Sequence, residues 1–130
     1  MKPRFRLALI GLVAIVGLFC LLIFAPPDGQ ERAALWQFFG RFHPLAVHLP
    51  IALILLVPLL EIAGAGRQRG HLRAAAAFVL GLAVLATLFA PLLGWLLAWS
   101  GGYEGALLTR HMWGGVSLAA LCWSTWLLRP

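Results

Sequence analysis

Charge is the scarcest commodity in this sequence. Only 11% of its 130 residues are charged, where soluble domains carry roughly a quarter. Acidic side chains number 4 against 10 Lys and Arg. The chain has two cysteines, Cys20 and Cys122, and no CxxC or CxxCH. That excludes a thioredoxin-like motif and covalent haem attachment, and inside apolar runs both thiols act as small hydrophobes. A Gly-rich phosphate loop, paired carboxylates and a nucleophile beside a base are all missing, which argues against hydrolysis and phosphoryl transfer. Nor does any basic patch interleave with aromatics as in nucleic-acid binders, so no nucleic-acid partner is expected.

What remains is apolar. Hydrophobic residues make up 62% of the chain, more than a water-soluble core of this size can hide. The class is an integral membrane protein in contact with the lipid bilayer, and the net charge of +6 fits the Lys/Arg bias of cytoplasmic loops. Four runs are long enough to approach the roughly 20 residues of a span: residues 7–25, 44–63, 74–99 and 106–128. The first follows MKPRFR and competes with a signal peptide. It is longer than a usual h-region, and Pro26 follows the only plausible cleavage residue, Ala25, so a retained anchor is expected. The stretch 26–43 is the longest outer connection, with a short interfacial helix expected over Ala33–Phe39. Five tryptophans, Trp95, Trp99, Trp113, Trp123 and Trp126, suit aromatic belts.

Lys2, Arg4, Arg6, Arg67, Arg69, Arg73 and Arg129 share one side if the chain threads up and down, leaving Arg32, Arg41 and Arg110 on the other. The positive-inside rule makes this N-in and C-in. Short connections then predict one all-α domain over 1–130, an antiparallel four-helix bundle crossing the bacterial inner membrane.

That topology sorts the histidines. His71 falls in the basic loop. His43, His48 and His111 come to the outer side from two different runs. At ~1.5 Å rise per residue, His48 lies ~7 Å and His111 ~9 Å beyond their helix starts, at matched depth. His43 and His48 point ~140° apart on an ideal helix. Intramembrane ionisable groups are costly and usually have a partner or a task. Haem b held by His48 and His111 between helices is therefore expected, with His43 as a rim or alternative ligand. A zinc or copper site on His48 and His111 with His43 or Glu104 is the second option, and plain interfacial histidines are the bland one. The small residues Ala86, Ala90, Gly94 and Ala98, and the series His111, Gly115 and Ala119, either pack helices closely or leave a flat slot for a macrocycle. Glu61 is either a proton carrier or a partner of Arg67 or Arg69.

GRFHPLAVHLPIALILLVPLLE and GWLLAWSGGYEGALLTRHMWGG resemble a family of uncharacterised bacterial membrane proteins. Its domain of unknown function pairs HPLxVHxPI with GGYxGxLLxxHxWxG. The resemblance covers about Phe39 to Gly115. Relatives are fused or adjacent to planctomycete-type cytochrome c or Rieske domains. What this implies is a membrane redox setting with His43, His48 and His111, and Gly101, Gly102, Tyr103 and Gly105 in the outer loop, as pattern residues. Longer relatives continue past the fourth run with further helices, a pattern this sequence does not show. The expected function is a small, non-catalytic redox subunit in a hetero-complex. It would exchange electrons with the quinone pool, a periplasmic or membrane-anchored cytochrome c, or another redox subunit. A cofactor-free anchoring subunit is the alternative.

Overall fold

The computed structural model describes residues 3–66 and 69–129. Lys2 and Arg67, both counted above toward orientation, lie outside those residues. Every described element is helical: α1 (Pro3–Phe24), α2 (Ala34–Gly40), α3 (His43–Ala46), α4 (His48–Ala63), α5 (Gly70–Ser100) and α6 (Ala106–Leu128). The second apolar run is split into α3 and α4 at Val47. Pro50 has no N–H to offer the carbonyl of Ala46, so the ladder is interrupted there. α5 starts four residues before its apolar run because GHLRAAAA is helix-competent from its first turn. His71 therefore lies on a helix and not in a loop, with its ring exposed.

Among the described residues, three stretches are long and apolar enough to cross a membrane: Phe5–Phe24, Ala34–Ala63 and Gly70–Ser100. The fourth run, α6, is not among them. Thr109, Arg110 and His111 make its first turns polar.

α5 is the axis of the molecule. It packs against α1, α2, α3, α4 and α6, and its buried face is built from small side chains, including Ala76, Ala83, Ala86, Ala90 and Ala98. Small residues let helix backbones approach closely. One such close approach is at Gly40, where an added Cβ would lie 2.6 Å from the Leu97 Cα. Over one half of α5, Leu80, Ala83, Val84 and Cys122 form a core, against which Leu53, Ile54 and Val57 of α4 and Trp123 and Trp126 of α6 pack. That end is closed by Arg129, which donates to the Glu61 carboxylate and, at 3.1 Å, to the Arg73 carbonyl. Glu61 therefore pairs with Arg129 and not with Arg69, whose guanidinium reaches the Ala63 carbonyl.

At the opposite end the segment before α2 is strapped across the end of α5. The Arg32 N–H donates to the Ser100 carbonyl at 2.9 Å, and Glu31 bridges Gly101. The Arg32 guanidinium holds Asp28 (Nη2 to Oδ2, 2.7 Å), donates to the Trp99 carbonyl, and lies 4.0 Å above the Trp99 ring. Trp95 stacks on Trp99 and donates from Nε1 to the Ala25 carbonyl at 2.8 Å. The turn into α6 places Gly102 and Gly105 at positive φ, +74° and +122°, a conformation that costs a side chain and suits glycine.

Candidate functional site

α4 packs on α5 and α3, while α6 packs on α5 and α1. On the strapped half of α5 this leaves a gap between α4 and α6, occupied by a cavity of about 410 Å³. That is within the ordinary range for small-molecule sites. Its walls are almost wholly apolar: Pro50 and Ile51 from α4, Pro91 and Trp95 from α5, Met112 from α6, and Leu22 from α1. Two imidazoles, His43 and His111, break the apolar wall, and Thr87 and Tyr103 also line it.

His43 enters at the first position of α3. Its Nδ1 is 2.9 Å from the carbonyl oxygen of Ala90. A carbonyl only accepts, so Nδ1 carries the hydrogen and the neutral ring keeps its lone pair on Nε2. The ring lies flat over Gly94. An added Cβ there would be 2.8 Å from Cε1 and 3.0 Å from Nδ1, closer than real Cβ contacts allow. Gly94 sits within a helix with no unusual φ, so the seat for the ring accounts for a glycine that otherwise costs about 0.5–1 kcal/mol against alanine. His111, two turns into α6, faces His43 with ring centroids 6.2 Å apart and planes at 76°.

His48 is elsewhere. Its ring turns back along its own segment, Nδ1 donating to the Pro44 carbonyl at 2.7 Å, and is exposed. It takes no part in lining the cavity. The expected pairing of His48 with His111 is thus corrected. The structure brings His43 to His111, and the residue expected at the rim is the one inside. The two histidines open two different helices, α3 and α4, so the ideal-helix angle between them does not apply. What the sequence does not decide is which face meets α5. α4 is apolar all round, so no polar stripe marks its bundle side.

The alternative metal set is not assembled either. Among the described residues there is no group of three His, Cys, Asp or Glu able to hold a metal ion. Glu104 lies against Gly29 in the outer connection, away from the imidazoles. The small-residue series on α5 packs the helix closely and, at one position, seats a side chain. Ala86, Ala90 and Ala98 are packed, while Gly94 makes the flat seat. The Ala90 carbonyl and Trp95 were not legible as site groups, because neither a backbone acceptor nor one tryptophan among six stands out in a sequence.

Compared with known proteins, residues 40–130 match the family model described as "Predicted membrane protein (DUF2231)". The match includes every residue around the two imidazoles except those of α1. No curated protein and no solved structure matches the chain.

Proposed function

The chain belongs to the DUF2231 family of predicted membrane proteins, and from that premise we propose that it is a small subunit of a bacterial inner-membrane redox complex, holding haem b between His43 and His111. The helices run antiparallel with both termini cytoplasmic, so the site lies in the periplasmic half of the membrane. Seven Lys and Arg on one side against three on the other support that orientation. Electrons pass to or from the quinone pool, a periplasmic or membrane-anchored cytochrome c, or another redox subunit.

One observation carries the reading: two imidazoles facing each other in a mainly apolar cavity that Thr87 and Tyr103 also line, with centroids 6.2 Å apart. Two histidines binding one metal atom from opposite sides, at ~2.0–2.1 Å per bond, would have centroids about 6.4 Å apart. Donation of the outer ring N–H to a carbonyl, as from His43 to Ala90, is the usual support of a metal-binding histidine. Haem would supply a one-electron iron centre whose potential follows its axial ligands and burial. The protein's part would be to fix Nδ1 of His43 on the Ala90 carbonyl, set His111 opposite, and line the site with the apolar Pro50, Pro91, Trp95 and Met112.

Purified protein is expected to be coloured, with a Soret band, a b-type reduced spectrum and about one haem per chain by pyridine haemochrome. A folded, colourless preparation would sink this reading and leave the anchoring subunit. That second reading has its own support in α4, where Leu45, Leu49, Leu55, Leu59 and Ile62 are all exposed, a surface for lipid or for a neighbouring subunit.

A further inference from the structure

The two imidazoles of the cavity are not held alike. His43 is half-buried, its Nδ1 fixed by the Ala90 carbonyl and its ring bedded on Gly94. A ring held on two sides cannot rotate without losing a hydrogen bond and striking α5. His111 is exposed, and its ring nitrogens have no hydrogen-bond partner among the described residues. The next turn of α6 brings no side chain against it: Gly114 has open space where a side chain would be, and Gly115 meets only Pro91 at ordinary contact distance. Outer-ring hydrogen bonds fix a ligating histidine's tautomer and orientation and raise its basicity. One ligand of the pair has that support and the other lacks it.

We propose that, toward haem iron, His43 is the permanent ligand and His111 a displaceable one, so that the His111 side of the cavity admits a small exogenous ligand of the diatomic class. This rests on the haem reading above and extends it from electron transfer alone to ligand binding. The apolar gap between α4 and α6 suits the approach of an uncharged gas dissolved in the membrane. Steric access and polarity on the exchangeable side are what separate ligand-binding haems from pure electron carriers. Gly94 and the Ala90 carbonyl are positioning groups in this scheme, acting through His43.

Carbon monoxide is the probe, added to the reduced full-length chain in lipid nanodiscs. The expected result is a shift of the Soret band at CO concentrations well below saturation. In His111→Ala the haem should be retained and CO should bind faster, by on the order of tenfold or more, since no side chain has to leave. His43→Ala should lose haem. A second readout needs no haem: in the apoprotein, diethylpyrocarbonate should modify His111 ahead of His43, and Gly94→Ala should erase that difference by unseating His43. A coloured wild type that ignores CO would overturn the inference alone, as would haem retained in His43→Ala and lost in His111→Ala. Equal reactivity of the two apoprotein imidazoles would also overturn it. A colourless wild type would overturn the haem reading itself, and the inference with it.

Discussion

At the residue scale the site turns on three contacts of one imidazole: Nδ1 of His43 to the Ala90 carbonyl, the His43 ring on Gly94, and the facing ring of His111. Replacing Gly94 by alanine adds a single methyl where 2.8 Å separates it from Cε1. Haem affinity is expected to fall about 10–100-fold, the usual effect of disturbing the support of a ligating histidine. Titration of the apoprotein with hemin measures it, and unchanged affinity would show that the seat does not matter. A second residue-scale prediction concerns the outer strap. The Arg32 guanidinium holds the Asp28 carboxyl below the ordinary aspartate range, mainly through their hydrogen bond. A depressed folded-state pKa contributes stability above the unfolded value, and that contribution is lost as pH falls through the folded value. The strap should therefore loosen in acid, below the ordinary aspartate value. The fluorescence of Trp99, which lies beneath Arg32, should report the change. Asp28→Asn should remove the pH dependence, and a change that persists in this variant would assign it to another group.

Among the elements, α5 decides the architecture, and its small-residue face was visible as a series of Ala and Gly four apart. Legible too were the apolar runs that became α1, α4, α5 and α6, because hydropathy and run length need no partner to interpret. The break at Val47 was less so. Pro44 and Pro50 announce a disturbance, but not that His48 absorbs it by turning its ring back to the Pro44 carbonyl, four residues earlier. Which histidine would meet His111 was not legible either, and the structure brings His43, not His48, to it. Nothing in a uniformly apolar α4 distinguishes its bundle side from its lipid side. The docking of α2 offers a test at this scale. Gly40 lies so near the Leu97 backbone that an added Cβ would be 2.6 Å from its Cα, and backbone cannot step aside as a side chain can. Gly40→Ala should destabilise the fold by about 1–3 kcal/mol, the usual range for overpacking. A thermal melt in detergent would measure this, and an unchanged midpoint would mean that α2 is not held as described.

Taken whole, the molecule is closed at one end and opened at the other. Arg129, Glu61 and Arg73 draw α6, α4 and α5 together, while the cavity holds α4 and α6 apart below the Asp28–Arg32 strap. The family match begins at residue 40, so α1 stands outside it although Leu18 and Leu22 help wall the cavity. Orientation is the prediction that belongs to this scale. A phosphatase fused after Pro130 should be inactive, and one inserted in the 26–33 connection active, if the arginine-rich end is cytoplasmic. The reverse pattern would put the site on the wrong side for a periplasmic partner.

The most direct test of the central claim compares three visible spectra of the reduced protein: wild type, His43→Ala and His48→Ala. The cavity geometry predicts a b-type spectrum in wild type and in His48→Ala, and its loss in His43→Ala. A spectrum that survives in His43→Ala and disappears in His48→Ala would contradict the site described here.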